Sequence, residues 1–162
     1  MKLFLVRHAE AIDHETDSVK DDEHRFITTS GRMRTRKIAK TLIEELKDLE
    51  IIFTSPLIRA VQTAEIISSG IKFRNDILLV NELKNESSTS SLLQLLSMNS
   101  ELKSVALVGH EPKISMLVKS ISGKNDLIDF RKSSVCLIDY DALAGNGRFE
   151  WYFDSKSMEY VK

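Results

Sequence analysis

Five polar residues follow short apolar runs of this sequence: Arg7, His8, Arg59, Glu82 and His110. Two guanidinium groups can each grip the oxygens of a phosphoryl group with paired N–H donors, and they keep their charge at physiological pH. A neutral imidazole can attack phosphorus when one ring nitrogen is held as an N–H donor and the other keeps its lone pair. A carboxyl group whose pKa is raised by burial can protonate the leaving group and later activate water. If these side chains meet, they favour phosphoryl transfer through a histidine.

The apolar runs before these residues predict short buried strands, and the segments between the runs have helical spacing. Strands are expected at 2–6, 51–53, 77–80 and 104–108, and helices at 30–49, 58–70 (capped by Gly70), 91–96 and from 109–112 through 121. Two more strands, at 134–140 and 147–153, flank a Gly-Asn-Gly turn typical of a hairpin. This alternation predicts an α/β fold, a three-layer α/β/α sandwich with a mostly parallel sheet and helices on both faces. Such sheets bind ligands beyond the carboxyl ends of their strands, where the five polar residues lie.

Each of these residues, taken alone, also fits an ordinary structural role. A histidine at a strand end is commonly hydrogen-bonded within the fold, an arginine on the first turn of a helix commonly forms a surface ion pair, and Glu82 fits a solvated loop. An anion site is favoured because three separate segments place anion-binding groups at the same kind of position. The residues by themselves leave both interpretations open.

Four segments of the chain carry a resemblance to a known family. They read LVRHAE at 5–10, FITTSG at 26–31, TSPLIRAVQTA at 54–64 and VGHEP at 108–112. Their order and spacing resemble the signature segments of the histidine phosphatase superfamily, the phosphoglycerate mutase-like group. The short length is most similar to that of the small SixA-type phosphohistidine phosphatases, and the resemblance runs over nearly the whole chain. It implies a phosphoglycerate mutase-like fold and one histidine phosphatase domain over residues 1–162.

The resemblance also implies a role for each polar residue. His8 corresponds to the nucleophile that carries a phosphohistidine intermediate, and Arg7, Arg59 and His110 correspond to phosphate-binding residues. Glu82 matches the position of the proton donor in larger members, although the surrounding sequence NELK departs from the usual pattern. Neither a metal ion nor an organic cofactor is expected. The chain is too short for the lid insertions of mutases and sugar phosphatases, which favours a phosphatase over a mutase.

The expected function is therefore hydrolysis of a phosphoryl group through His8, with phosphohistidine in a protein as the substrate. Two alternatives stay open. The first is a phosphatase that acts on small phosphate esters. The second is a catalytically silent module that binds phosphate or a phosphoprotein.

The composition argues against several other classes of protein. The 162 residues contain 23 Lys and Arg against 24 Asp and Glu, a formal net charge of −1, so no attraction to nucleic acid or to a membrane surface is expected. No apolar run approaches the length of a membrane helix, and the amino terminus lacks a secretory pattern, so the cytoplasm is the expected location. Cys136 is the single cysteine and has Ala142 rather than arginine at the offset that a cysteine phosphatase requires. It is interpreted as a core residue.

Two charged segments allow either a passive or a functional interpretation. Several basic residues lie along the predicted first helix: Arg32, Arg34, Arg36, Lys37 and Lys40. They fit a solvated helix face or a docking surface for a protein substrate, and the acidic segment 13–23 fits a flexible loop or a second docking element. Glu10 is considered as a residue that orients Arg7 or His8.

Overall fold

A seven-stranded sheet forms the centre of the protein. The computed structural model describes residues 1–13, 19, 21–124 and 130–162. The strands are β1 (Lys2–Arg7), β2 (Ile51–Thr54), β3 (Ile77–Leu79), β4 (Ser104–Gly109), β5 (Val135–Asp141), β6 (Asn146–Asp154) and β7 (Glu159–Val161). They lie in the order β3-β2-β4-β1-β5-β6-β7.

The helices cover both faces of this sheet. They are α1 (Thr29–Thr41), α2 (Ile43–Leu46), α3 (Ile58–Ile71), α4 (Thr89–Met98) and α5 (Lys113–Ser122), with short 3₁₀ helices at Asp22–His24 and Asn81–Leu83. The predicted helix at 30–49 is divided at Leu42, whose φ of −95° and ψ of 19° lie outside the helical range. Strand β7 was not predicted, because its three exposed residues carry no alternating pattern and its only strand partner is β6.

Successive residues of β1 enter opposite cores, as the two-residue period of a strand requires. Leu3 and Leu5 pack into a cluster that includes α4 and α5, whereas Phe4 and Val6 pack into a cluster that includes α1 and α3. The sheet thus lies between two apolar layers, and the predicted α/β/α sandwich is confirmed. Cys136 lies in the first cluster, fully buried, as its position on a strand indicates.

The sheet has a parallel half and an antiparallel half, so the expectation that it is mostly parallel was slightly wrong. Strand β1 is parallel to β4, and β2 is parallel to both β4 and β3. The pairs β1–β5, β5–β6 and β6–β7 are antiparallel, and tight turns join β5 to β6 and β6 to β7. The four parallel strands therefore end at the same edge. In their register Arg7 pairs with Gly109 and Thr54 with Val108, so the segments that follow these strands are neighbours.

Close packing of α1 against α3 fixes the helix that carries Arg59. A Cβ atom at Gly70 would lie 2.6 Å from the Cβ of Ala39, a distance that real Cβ atoms do not reach. The expectation that Gly70 caps its helix was wrong, because α3 continues to Ile71 and Lys72 takes the left-handed cap conformation with φ of 57°. Gly70 is needed for helix contact rather than for helix termination. Throughout the described ranges, every helix is too short or too polar to cross a lipid bilayer.

Candidate active site

The structure brings four of the predicted site residues together at the carboxyl edge of the parallel strands. The backbone N–H of His8 donates to the carbonyl of Gly109 at 2.9 Å, which ties the end of β1 to the end of β4. The rings of His8 and His110 lie 5.0 Å apart, centroid to centroid, with planes inclined by 51°. The charges of Arg7 and Arg59 act on both imidazoles.

His8 is held as a neutral imidazole with a defined tautomer. It is 6% exposed, and its Nδ1–H donates to the carbonyl of Ala9 at 2.7 Å. Burial lowers the pKa of His8 to about 3, assisted by His110, Arg59 and Arg7 and opposed by the bond to Ala9. Since a carbonyl oxygen accepts at Nδ1, the lone pair is on Nε2. This nitrogen has the electronic state that a nucleophile toward phosphorus needs.

A hydrogen-bonded chain ties the loop of His8 to the helix of Arg59. The N–H of Ala9 donates to Thr63 Oγ1 at 2.9 Å, and this hydroxyl donates to the carbonyl of Arg59 at 2.6 Å. Thr63 is fully buried, so both bonds are shielded from water. The histidine and the arginine are thereby held in one local framework, although they are 51 positions apart in the sequence.

Glu10 supports this loop from the other side. Its backbone carbonyl accepts from the N–H of Thr28 at 2.9 Å, and its carboxylate accepts from the Thr28 hydroxyl at 2.8 Å. A Cβ atom at Gly31 would lie 2.5 Å from the Glu10 carbonyl, so α1 begins directly against the loop. The carboxylate of Glu10 therefore anchors the start of α1, and the hypothesis that it orients Arg7 or His8 was wrong.

Both arginines are held at one end of the guanidinium group and lack a partner at the other. Arg7 donates through Nη1 to the carbonyl of Phe130 at 2.6 Å. Arg59, which is 5% exposed, donates through Nη1 to the Asp22 carbonyl at 2.7 Å and through Nη2 to the Asp22 carboxylate at 2.8 Å. The Nε–H of each arginine is buried with no hydrogen-bond partner. The fixed ends orient both groups and leave the buried Nε–H groups unpaired among the described residues.

Asp22 is a site residue that the sequence did not identify. It lies in the acidic segment interpreted as a flexible loop, of which residues 14–18 and 20 are outside the described residues. Burial opposes ionisation of Asp22, but hydrogen bonds from Arg59 and Arg25 outweigh it and lower the pKa of the carboxyl group. Asp22 is thus an anion in the resting protein. Neither spacing nor composition relates it to Arg59, because only the fold brings the two together.

His110 has one nitrogen fixed and the other without a partner. It is 2% exposed, and its Nε2 lies 2.8 Å from the hydroxyl of Ser55, which is fully buried. Its Nδ1 is buried with no hydrogen-bond partner. Burial lowers the pKa of His110 to about 4, and the charges of Arg59 and Arg7 contribute while that of Asp22 opposes them. When Ser55 donates to Nε2, the proton of the neutral ring is on Nδ1, which can then donate to a ligand.

The groups without partners define what this edge can bind. Among the described residues, five buried side-chain nitrogen or oxygen atoms lack a hydrogen-bond partner, and three of them are Arg7 Nε, Arg59 Nε and His110 Nδ1. Unpaired buried donors are costly, so their concentration beside one neutral imidazole requires a functional explanation. A tetrahedral oxyanion accepts from several donors at once and is favoured by two guanidinium charges.

Glu82 lies at the same edge but is not bonded to the other four residues. It is half-buried in the 3₁₀ helix Asn81–Leu83, and its carbonyl accepts from Lys113 Nζ at 2.9 Å. The neighbouring Leu83 is fully buried and would lie 3.4 Å from a Cβ atom at Gly109, so this helix packs against the end of β4. Asp22, rather than Glu82, is the carboxylate whose charge acts on His110. Within the described ranges, no three His, Cys, Asp or Glu side chains are grouped to hold a metal ion.

The sequence of the chain matches a known protein family and a full-length relative. The sequence profile of the Histidine phosphatase superfamily (branch 1) matches residues 3–85, about half of the chain. The phosphohistidine phosphatase SixA of Escherichia coli (strain K12) is 27% identical over 166 aligned positions, covering 100% of this chain and 99% of that protein.

Solved structures share the fold over nearly the full length. The protein histidine phosphatase SixA complexed with tungstate superimposes with a TM-score of 0.88 at 24% identity, covering 98% of this chain and 100% of that one. A mycobacterial glucosyl-3-phosphoglycerate phosphatase superimposes with a TM-score of 0.67 at 14% identity, covering 92% and 96%. One of these proteins is a protein histidine phosphatase and the other a glucosyl-3-phosphoglycerate phosphatase, yet they share one fold. The fold therefore does not identify the substrate.

The low pKa values of His8 and His110 predict a specific loss of stability in acid. Above pH 6.5 both rings are neutral in the folded and the unfolded chain, so they contribute no pH dependence. Below pH 6.5 the unfolded chain takes up protons first, so each histidine lowers the free energy of unfolding by up to about 1.4 kcal/mol per pH unit until the pKa of the folded state is reached. Urea unfolding should show that, between pH 7 and pH 4.5, the free energy of unfolding declines less steeply for the His8→Asn/His110→Asn variant than for the unaltered protein. In the unaltered protein, ¹⁵N NMR should show a neutral His8 that is protonated at Nδ1. A titration of His8 near pH 6.5 would contradict this.

The contact between Asp22 and Arg59 predicts that Asp22 restrains anion binding. Asp22→Asn keeps an acceptor oxygen for Arg59 but removes the negative charge, so inorganic phosphate should bind roughly fivefold more tightly, equivalent to about 1 kcal/mol of relieved repulsion. Calorimetric titration with phosphate measures the change. The matched control is Asp21→Asn, because the Asp21 carboxylate lies beside His24 at 3.6 Å. Weaker binding by Asp22→Asn would mean instead that the charge is needed to hold Arg59.

Proposed function

The chain belongs to the histidine phosphatase superfamily (branch 1) and is a phosphatase, and we propose that it hydrolyses phosphohistidine in a protein through a phosphoryl intermediate on His8. One observation carries this proposal. A buried neutral imidazole with its Nδ1–H bonded to Ala9 shares the site with three buried nitrogen atoms that have no hydrogen-bond partner among the described residues: Arg7 Nε, Arg59 Nε and His110 Nδ1, the last of which is a donor when Ser55 donates to Nε2. This set combines a nucleophile with the donors that its electrophile requires.

In the first step, Nε2 of His8 attacks phosphorus in line with the leaving group. The Nε2–P bond forms as the bond from phosphorus to the leaving nitrogen breaks, and the electron pair goes to that nitrogen. Arg7 and Arg59 spread the charge of the equatorial oxygens, and His110 donates to one of them through Nδ1. The positive charge that develops on His8 is shared with the Ala9 carbonyl through the Nδ1–H bond.

In the second step, water attacks the phosphorus of phosphohistidine 8. The Nε2–P bond breaks, its electron pair returns to His8, the water proton is released, and inorganic phosphate departs. Glu82 is proposed as the group that transfers protons, since Lys113 holds its backbone at the edge of the site. The low pKa of Asp22 makes that residue a poor acid, so its proposed role is to orient Arg59.

Three observations favour phosphohistidine over an ester. The full-length Escherichia coli relative is a phosphohistidine phosphatase, and a solved SixA structure binds tungstate, a tetrahedral oxyanion like phosphate. A phosphohistidine that is protonated on its second ring nitrogen leaves as neutral imidazole, which needs no strong acid. Among the described residues, no side chain hydrogen-bonds to His8 as a preset acid, and Glu82 is bonded to none of the other site residues. All described strands join one sheet, which supports the proposal that residues 1–162 form one histidine phosphatase domain.

Replacement of the nucleophile tests the proposal directly. His8→Ala should lower kcat on phosphohistidine protein by about 10³-fold or more and abolish a phosphoryl adduct that is labile in acid and stable in base. Turnover and trapping of ³²P-labelled protein, with EDTA present, measure both effects. His24→Asn is the matched control, since the His24 side chain is 65% exposed. Phosphate binding without turnover by the unaltered protein would identify a silent module, and faster turnover of small esters would identify an ester phosphatase.

The leaving group determines how much Glu82 matters. Glu82→Gln should lower kcat/KM by about 10²-fold on a phosphoserine peptide, whose alkoxide needs a proton, but by less than about threefold on phosphohistidine. Steady-state kinetics on both substrates give the ratio. Glu86→Gln, in the same loop and 3.9 Å from Lys84, is the control. An equal loss on both substrates would assign Glu82 a role other than proton transfer.

A further inference from the structure

A basic surface adjoins the active site on the side of Arg7. A depression of about 240 Å³ is lined by Arg7, Arg34, Arg131, Lys132, Ser155 and Lys156. A second depression of about 480 Å³ shares Arg34, Ser155 and Lys156 with the first and extends along α1 to Lys37. The two form one continuous surface, named here the Arg34 face, and it begins at a residue of the candidate phosphate site.

The charge of the Arg34 face is almost uncompensated. No aspartate or glutamate is among the residues that line either depression. Arg131 is paired with Asp154 at 3.0 Å, but within the described ranges Arg34, Lys37, Lys132 and Lys156 form no ion pair with a carboxylate. A chain with a formal net charge of −1 therefore concentrates positive charge beside its active site. Such an arrangement attracts and orients an acidic partner.

The same helix provides an internal comparison. Arg36 and Lys40, which were grouped with Arg34 and Lys37 in the sequence, line a separate depression with Glu65 and Gly70 on α3. That depression contains a carboxylate and includes no residue of the candidate phosphate site. The basic residues of α1 are thus divided between a face that reaches Arg7 and a face that does not.

The lining of the Arg34 face fits a polypeptide better than a small ester. Met33 is 65% exposed, and Met158 is half-buried beside it in the second depression. Methionine side chains adapt to varied partner surfaces and give apolar contact between charges. A small phosphate ester bound at Arg7 would leave this face unused, whereas a protein segment would extend across it.

We propose that the Arg34 face docks an acidic segment that flanks the phosphorylated residue of the substrate protein. The proposal rests on the proposed function and deepens it, because it assigns the substrate a chemistry beyond its phosphoryl group. Arg7 contacts the phosphoryl group, while Arg34, Lys37, Lys132 and Lys156 contact aspartates or glutamates near it in the partner chain.

Peptides with a stable phosphohistidine analogue, phosphoryl-triazolylalanine, test this. One peptide has aspartates beside the analogue and a matched peptide has serines, and fluorescence anisotropy gives both Kd values. The acidic peptide should bind about tenfold more tightly, and the preference should decrease as NaCl rises from about 50 mM to about 500 mM. Arg34→Glu/Lys37→Glu should abolish the preference, whereas Arg36→Glu/Lys40→Glu should retain it. Equal Kd values for the two peptides, equal effects of the two double variants, or tighter binding of an oligothymidylate than of the acidic peptide would overturn the proposal.

Turnover of matched peptides separates failure of docking from failure of the proposed function. Phosphohistidine and phosphoserine peptides are each compared with acidic and with serine flanks. Hydrolysis of phosphoserine alone would refute the proposed function, and the ratio between acidic and serine flanks would still decide whether the Arg34 face docks acidic segments. Hydrolysis of phosphohistidine with no effect of the flanks would refute docking and leave the proposed function in place.

Discussion

Two guanidinium groups and two imidazoles lie together at one edge of the sheet, with Arg7 partly exposed and the other three buried, and the electrostatics of the site depend on this arrangement. Burial, and to a smaller extent the charges of Arg7 and Arg59, lower the pKa of His8 and of His110, so both rings stay neutral to well below physiological pH. Asp22 offsets one guanidinium without neutralising both. The remaining positive potential favours an oxyanion, and the same potential disfavours protonation of the His8 lone pair that we propose attacks phosphorus.

The backbone supplies the rigidity that this arrangement needs. Parallel pairing of β1, β4 and β2 places three chain segments side by side, and their buried hydrogen bonds leave the polar side chains few alternative positions. Thr63 links the loop of His8 to the helix of Arg59, and Ser55 holds His110. A hydroxyl serves in both places because it can donate and accept at once. Short, buried polar side chains thus hold the site residues in place.

Substrate choice is separated from this machinery in space. The fold is shared with a glucosyl-3-phosphoglycerate phosphatase, so the fold does not define the substrate. In this chain the surroundings of the site differ from one side to the other. The side of Asn81–Leu83 carries Glu82 and is fixed by Lys113, whereas the side of Arg7 opens onto basic residues contributed by α1 and the segments that flank β5 and β6. The charge of a substrate around its phosphoryl group can therefore be selected by the side of Arg7, and the chemistry of its leaving group by the side of Glu82.

Six of the seven strands, the layered α/β class and four of the polar residues that meet at the site could be predicted from the sequence, because apolar periodicity and position after a strand are local properties. The burial of Cys136 could be predicted in the same way. The folded structure was needed to show that Asp22 bonds to Arg59, that Glu10 anchors α1, that Gly70 serves helix packing and that the basic residues of α1 divide between two faces. Each of these depends on which distant segments pack together, and such long-range contacts leave no periodic trace in the order of the residues.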